Sequence, residues 1–292
     1  MSRALLCWRV LAIAAIVGLV GLGVRGAGDM AVGFAPYIAR IEITGVIVDD
    51  PRRDDRLLEI RDDPKAKALV ARIDSPGGTV VGGETLFRYL RLVAEKKPVV
   101  AVMGELATSA GYMTAIGADH VLARDGTVTG SIGVIMQTAD VTGLLNKIGV
   151  RPEVLKSSDI KATPNPFEPF TDKQRDAARV VVLDMFEMFK SMVAERRGFD
   201  DETMNSLADG RIFTGRQALK LGLIDAIGGE LEAKDWLVET RGLDPDLEYM
   251  DVRLEPEEGP LAGLFEGILG KTFVSERLRL DGLISLWQPT FR

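Results

Sequence analysis

Two stretches of the chain, Arg72-Ile-Asp-Ser-Pro-Gly-Gly78 and Met103-Gly-Glu-Leu-Ala-Thr-Ser-Ala-Gly-Tyr112, decide the fold. The first is typical of a strand that runs into a Gly-Gly turn, where backbone N–H groups are available to hold an oxyanion. The second predicts a strand, Val99 to Met103, that turns into a small-residue helix beginning at Ser109. The N–H groups at a helix start point towards whatever binds there. The order of the two motifs therefore predicts a nucleophilic serine, although each motif alone is more often an ordinary helix cap or turn.

The segments around these motifs alternate between strand and helix patterns. Ile38 to Val48 has the chemistry of a strand, Gly82 to Lys97 that of a helix, and Val150 to Leu155 that of a further strand. Thr171-Asp-Lys-Gln174 is a capping box that predicts a long helix to about Arg197. This alternation predicts an α/β fold, with a parallel sheet and flanking helices.

Composition excludes several classes of protein. The chain has 292 residues and a net charge of −7, and it shows no basic stripe, which argues against nucleic-acid binding. It has a single cysteine, Cys7, and therefore no internal disulfide. No CxxC, HExxH or histidine cluster is present, so we expect neither a metal nor a cofactor.

The N-terminus predicts a membrane segment. Arg3 and Arg9 precede an apolar run, Val10 to Val24, and Arg25 follows it. Counted from Ala4, with the Arg9 side chain reaching towards the headgroups, the segment is long enough to span a bilayer. A signal peptide is the alternative, but Val24-Arg-Gly-Ala is a poor cleavage site. We expect an uncleaved anchor with the body of the protein outside the cytoplasm.

The sequence argues against histidine as the base that would activate Ser109, because the single histidine, His120, lies at the entry to a predicted strand eleven residues further on. A lysine must therefore be considered. Such a lysine has to be neutral to accept a proton, which requires burial away from carboxylates.

Four motifs in one order resemble a known family. Beside the two quoted above, these are Thr129-Gly-Ser-Ile-Gly-Val134, and Asp209-Gly-Arg-Ile-Phe-Thr-Gly-Arg-Gln-Ala218 with Gly222-Leu-Ile-Asp225. They resemble the bacterial S49 serine protease family of signal peptide peptidase A, in its short form with one set of motifs. The resemblance runs from about Ile38 to Ile227. It implies a crotonase/ClpP-like α/β fold and a Ser/Lys dyad that degrades signal peptides left in the membrane after secretion.

The resemblance also implies a domain plan and a location. Residues 1–36 would be the anchor and linker, residues 37–230 the peptidase domain, and residues 231–292 a helical extension that could contact another protomer. The protein would cross the bacterial inner membrane once, with its catalytic domain in the periplasm. Its partners would be peptide substrates, the membrane and further copies of itself, in a ring where Ser109 of one protomer is served by Lys161 of the next.

Lys161 is the base that the family pattern implies. It lies eight residues before Pro169, the last residue of Pro166-Phe-Glu-Pro169. The family usually has Lys-Asp-x-Gly-Ser here, whereas this chain has Lys161-Ala-Thr-Pro-Asn165, a looser match. Lys156 is the rival. Ser131 resembles the family's second serine, which hydrogen-bonds the lysine; its alternative is an ordinary turn serine.

The remaining site residues follow from the same pattern. The backbone N–H groups of Gly78 and Ala110 are the expected oxyanion donors, with Gly77 as the alternative to Gly78. Tyr112 and Met113 are expected to help line the pockets for apolar substrate side chains.

Three competing functions remain open from sequence. One is a crotonase-type acyl-CoA enzyme, which the anchor and the Ser109/Lys161 pair disfavour. Another is a Ser-His-Asp protease, disfavoured because His120 precedes the region where its base would be expected. The third is an inactive membrane-anchored scaffold of the same fold, which would not need to retain the serine, lysine and glycine turns.

Overall fold

The computed structural model describes residues 35–252 and the backbone of residues 283–286. In this part of the chain ten strands form one sheet, flanked by helices. The strands are β1 (Tyr37–Ile47), β2 (Ala66–Thr79), β3 (Val99–Thr108), β4 (His120–Ala123), β5 (Val128–Gly130), β6 (Ile135–Met136), β7 (Ile212–Thr214), β8 (Ala226–Ile227), β9 (Glu248–Asp251) and β10 (Leu283–Leu286). The helices are α1 (Pro51–Asp62), α2 (Val80–Ala94), α3 (Ala110–Ala115), α4 (Thr142–Lys147), α5 (Asp172–Arg197), α6 (Asp201–Leu207), α7 (Gly215–Lys220) and α8 (Glu230–Arg241).

The centre of the sheet is parallel, in the order β9-β1-β2-β3-β4-β8. Strand β5 extends the far end of β3 in parallel, and β7 pairs with β5 in the antiparallel direction. Strand β10 is antiparallel to both of its neighbours, β2 and β6. The predicted α/β fold with flanking helices is confirmed, whereas the sheet is mixed and not wholly parallel as predicted.

Helices cover both faces of the central strands. Alternate strand residues such as Leu69 and Ala71 face one large core, which also contains Phe189 of α5. The residues between them, such as Val70, face a smaller core that includes Leu237 of α8. Because both faces are buried, the central strands are continuously apolar, as is typical of parallel sheets.

Three segments differ from their predictions. Val150 to Leu155 forms no strand and is exposed, because no neighbouring strand lies beside it to bury its apolar side chains. Gly77 and Gly78, predicted as a turn after a strand, lie within β2, because β1 pairs with this strand as far as Ile47 and Gly78. The region predicted as a helical extension begins with helix α8, but its strand β9 pairs with β1 and belongs to the main sheet.

Residues 133–170, which we call the arm, lie outside the buried core. None of the residues in this stretch is buried, and the core resumes only at Gln174 of α5. The arm exposes several large apolar side chains, namely Ile135, Leu144, Ile148, Val150, Val154, Leu155, Ile160 and Phe167. The arm is therefore positioned by few core contacts of its own chain.

Among the described residues, no helix combines the length and the apolar character that crossing a bilayer requires. The predicted anchor, residues 1–36, lies almost wholly outside the described residues, and so does most of the C-terminal tail.

Candidate active site

Ser109 occupies the turn between strand β3 and helix α3. Its backbone has φ 56° and ψ −116°, a region that residues other than glycine rarely adopt. Such a conformation costs on the order of 1–3 kcal/mol and persists only where the surroundings enforce it. A strained strand-to-helix turn is also the device by which α/β hydrolases present a nucleophilic serine.

Two backbone hydrogen bonds hold the strained residue. The N–H of Ser109 donates to the carbonyl of Gly130 at 2.8 Å, and the carbonyl of Ser109 accepts from the N–H of Met113 at 2.8 Å. The Ser109 side chain does not cap the helix that it precedes. Because a capping serine would bond its hydroxyl to the first turn, the ordinary helix-cap interpretation does not describe this residue.

The Gly-Gly segment lies beside this turn. Ser75 of β2 pairs with Ala107 of β3, and the hydroxyl of Thr108 donates to the carbonyl of Pro76 at 3.1 Å. The Ser75 hydroxyl donates to the carbonyl of Gly45 at 2.6 Å and accepts from the N–H of Gly77 at 3.1 Å. The two motifs that the sequence singled out are therefore in direct contact.

Close packing requires glycine at two positions of this contact. A Cβ at Gly78 would lie 1.7 Å from the carbonyl oxygen of Ile47, which no side chain can tolerate without backbone movement. A Cβ at Gly111 would lie 3.1 Å from the carbonyl oxygen of Ser75. The N–H of Gly77 already donates a hydrogen bond to the Ser75 hydroxyl. The assignment of the Gly78 and Ala110 N–H groups as oxyanion donors stays a prediction.

Ser131 lies on the opposite side of the Ser109 turn. It also has a positive φ, 53°, and its N–H donates to the carbonyl of Arg211 at 2.8 Å. It is nearly buried and directly follows Gly130, the residue whose carbonyl holds the Ser109 amide. Ser131 therefore stands where the chain leaves the core and enters the arm.

The two candidate lysines have different surroundings. Lys156 is partly buried, and its amine forms a short ion pair with the Glu168 carboxylate. This ion pair does not fit the requirement that the base lie away from carboxylates. Lys161 is exposed on the arm, and its backbone N–H donates to the carbonyl of Ser158. Within one protomer Lys161 therefore lacks the burial that a neutral amine requires.

His120 lies far from the serine. It begins β4 and pairs with Val100, near the opposite end of β3 from Ser109; between Val100 and Ala107 alone the strands advance by five residues of β2, Val70 to Ser75, or roughly 17 Å. Its ring stacks on Trp236 with centroids 4.7 Å apart, and burial lowers the pKa of His120. The structure thus agrees with the sequence argument against a histidine base.

Tyr112 and Met113 require a correction. Both side chains are fully buried on α3, and the Tyr112 hydroxyl donates to the carbonyl of Leu223 at 2.9 Å. Met113 packs against Gly83 at the crossing of α2 and α3. The two side chains therefore pack in the core and do not line a substrate pocket, because α3 turns them inward, away from the Gly-Gly edge.

The sequence argument missed the polar side chains that brace the two motifs. These are Asp74, whose carboxylate accepts from the N–H of Leu106, together with Ser75 and Thr108. A hydroxyl two residues before a glycine is a recognised turn signal, so the role of Ser75 was accessible from sequence. In the described residues no cluster of three or more His, Cys, Asp or Glu side chains could hold a metal ion.

A serine on a strained turn, at the carboxyl end of parallel strands and against a Gly-Gly edge, defines a serine hydrolase of the α/β class. The chain belongs to peptidase family S49, because the family profile described as "Peptidase family S49" matches residues 91–244. This membership decides against the acyl-CoA enzyme and in favour of a protease.

Individual relatives agree with this assignment. The chain is 39% identical over 221 residues to "Putative protease slr0021" of Synechocystis, covering 75% of this chain and 80% of that protein. It is 29% identical to "Putative signal peptide peptidase SppA" of Enterococcus faecium, covering 70% of this chain and 64% of that one. Among solved structures it is similar to a ClpP1 mutant from Listeria monocytogenes, with 18% identity, a TM-score of 0.43, and coverage of 65% of this chain and 91% of that chain.

The glycine packing gives a test of the site's geometry. Gly78→Ala should lower the free energy of unfolding by about 1–3 kcal/mol, because the added Cβ overlaps the Ile47 carbonyl. Gly126→Ala is the matched control, since a Cβ there meets nothing within 4 Å, and it should change stability by less than about 0.5 kcal/mol. Denaturant unfolding measures both. Equal effects of the two substitutions would contradict the described contact.

Proposed function

We propose that this protein is a serine endopeptidase that cleaves extended apolar peptides, including signal peptides left in the membrane. The observation that carries the proposal is the strained turn at Ser109, held against the Gly-Gly edge of β2 in a chain of the S49 family. A fold without activity would have no need to maintain a strained serine, because strain of this kind lowers stability.

The proposed chemistry is acyl transfer through Ser109. The amine of Lys161 accepts the hydroxyl proton while Ser109 Oγ attacks the peptide carbonyl, and the N–H groups of Gly78 and Ala110 hold the resulting oxyanion. The C–N bond breaks, and Lys161 returns the proton to the leaving amine. Water then hydrolyses the acyl-enzyme, and no cofactor takes part. Ser131 is proposed to accept a hydrogen bond from the amine and to hold it in place.

The base is proposed to come from a neighbouring protomer. Lys161 is exposed on an arm that has no buried residue, so its own chain does not desolvate it. The arm also exposes large apolar side chains, Leu155 and Phe167 among them, that packing on a second copy would cover. Such packing would also remove Lys161 from water, and desolvation is one of the conditions under which a lysine acts in catalysis. We therefore propose a homo-oligomeric ring whose sites are complete only after assembly.

Location is proposed from the N-terminal sequence. The apolar segment after Arg3 and Arg9 would anchor the protein in the bacterial inner membrane, with the catalytic domain in the periplasm. This places the site beside the peptides that secretion leaves in the membrane.

A reporter enzyme fused to the C-terminus should be active only outside the cytoplasm, and activity on the cytoplasmic side would contradict the proposed orientation.

The trans arrangement predicts rescue between two inactive variants. Ser109→Ala and Lys161→Ala should each reduce hydrolysis of an apolar peptide by at least about a hundredfold, because one lacks the nucleophile and the other the base. Co-assembly of the two should restore part of the activity, since some interfaces then combine an intact serine with an intact lysine. The measurement is the rate of peptide hydrolysis after the proteins have been co-expressed.

Lys156→Ala is the control for this experiment. It removes the ion pair with Glu168 but leaves the proposed dyad, so it should retain activity within about tenfold of the parent. Inactivation by Lys156→Ala together with full activity of Lys161→Ala would show that the base is wrongly assigned. Failure of the two inactive variants to rescue one another, in assemblies shown to contain both, would contradict the trans site.

A further inference from the structure

The C-terminal end of helix α3 is held by arginine side chains from two other helices. The Nε of Arg196 in α5 donates to the carbonyl of Ile116 at 2.8 Å, and its Nη2 donates to the carbonyl of Ala118 at 2.7 Å. The carbonyl of Gly117, between them, accepts from Nη1 of Arg91 in α2 at 3.2 Å. The successive carbonyl oxygens that follow α3 are therefore bonded to guanidinium groups.

Helix α3 is so short that its two ends form one unit. It has six residues, Ala110–Ala115, which is fewer than two turns and about 9 Å in length. Ser109 directly precedes it, and the Ser109 carbonyl accepts the bond from Met113. Because so short a helix is unstable by itself in water, its contacts with the rest of the protein decide whether it forms. Loosening of the end at Ile116 would therefore also loosen the turn at Ser109.

The helix that carries Arg196 is itself anchored where the arginine leaves it. Phe189 and Val193, in the second half of α5, are fully buried in the large core. Arg196 follows in the last turn, and Gly198 ends the helix with a left-handed backbone, at φ 68°. A cation in this position usually interacts with the last carbonyls of its own helix. Here the guanidinium instead bonds to the carbonyls at the end of α3.

The bonds to these carbonyls are what compensates the burial of the Arg196 charge. Arg196 is half-buried, and burial lowers its pKa. Among the described residues it forms no ion pair, in contrast to Arg91, which pairs with Asp119, and to Arg197, which pairs with Asp225. A cation removed from water is costly unless it is paired or hydrogen-bonded. The end of α3 is therefore the feature that accounts for an arginine at position 196.

We propose that Arg196 is a positioning residue for catalysis, which maintains the strained conformation of Ser109 by fixing the far end of α3. This inference rests on the proposed function, since it takes Ser109 as the nucleophile. Arg196 acts through the helix and does not touch the substrate. Its loss lets the Ser109 turn relax, which moves the hydroxyl out of the geometry for attack. The chemical step is then impaired, whereas substrate binding is largely unchanged.

The test compares two cations that hold helix ends. Arg196→Met removes the guanidinium and keeps an unbranched apolar side chain. Lys97→Met is the matched control, because the Lys97 amine donates to the carbonyls of Ile60 at 2.5 Å and Asp63 at 2.7 Å, at the C-terminal end of α1. Each variant loses a half-buried cation from two backbone carbonyls, but only Arg196 is bonded to the end of α3.

We expect Arg196→Met to lower kcat for an apolar peptide at least about tenfold and to leave KM within about twofold of the parent. The rate constant for labelling of Ser109 by a fluorophosphonate should fall in parallel. Lys97→Met should keep both rates within about twofold, while urea unfolding shows a loss of stability like that of Arg196→Met. Arg196→Lys should be intermediate, since an ammonium bonds to a carbonyl but lacks the planar fork of arginine.

Amide hydrogen exchange gives a readout that does not depend on catalysis. Peptides that cover Thr108 to Ala115 should exchange at least about tenfold faster in Arg196→Met than in the parent, because the helix opens more often. Lys97→Met should leave the exchange of these peptides unchanged. If Arg196→Met does not fold, Arg196→Lys carries the same test with a smaller expected effect.

Parent-like kcat, labelling and exchange in folded Arg196→Met, or equal losses in Lys97→Met, would overturn the proposal and leave Arg196 a contributor to stability alone. Faster exchange around Ser109 in Arg196→Met, with neither labelling nor hydrolysis by the parent, would instead refute the proposed function and leave the role of Arg196 in holding α3 supported. The two failures are therefore distinguishable.

Discussion

The site depends on the sharp separation of β3 from β2 at Ser109. Up to Ala107 the two strands are paired, and one residue further on Thr108 still bonds to Pro76. At Ser109 the backbone then adopts a strained conformation, which the surrounding structure maintains. The carbonyl of Gly130 holds it by accepting a hydrogen bond from the Ser109 N–H. Relaxation of this turn would let β3 continue along β2, and it would remove both the nucleophile position and the edge that β10 uses.

The surrounding core explains why the strain is tolerated. Helix α3, which begins directly after Ser109, is buried throughout, and its tyrosine is bonded to the carbonyl of Leu223. Glycines at the contacts with β2 and α2 let the backbones approach more closely than side chains would allow. The free energy lost at one residue is therefore offset by packing along a whole helix.

The arm is exposed where helix α3 is buried: it carries the proposed base, yet none of its residues is buried. The rigid turn at Ser109 and the exposure of Lys161 are the two observations behind the proposal that assembly completes the site.

Much of the fold was predictable because the sequence signals were local. The capping box at Thr171, the strand that leads to Gly77-Gly78 and the helix after Ser109 each depend on neighbouring residues, and the structure has all three, although the two glycines lie within β2 and not in a turn. Val150 to Leu155 was mistaken for a strand because its apolar side chains lack the partner that would bury them. Strands β9 and β10 were missed because pairing across long sequence separations leaves no short-range pattern. Tyr112 was misassigned because periodicity in a six-residue helix does not show which face turns inward.

The most direct measurement of the central claim is covalent labelling of the assembled protein with a fluorophosphonate, followed by peptide mapping with mass spectrometry. The account predicts one adduct per chain, on Ser109, and its loss in the Ser109→Ala variant, because Ser109 is the proposed nucleophile and lies beside the proposed oxyanion donors. Modification of a different serine, or no adduct in a protein shown to be folded and assembled, would contradict it.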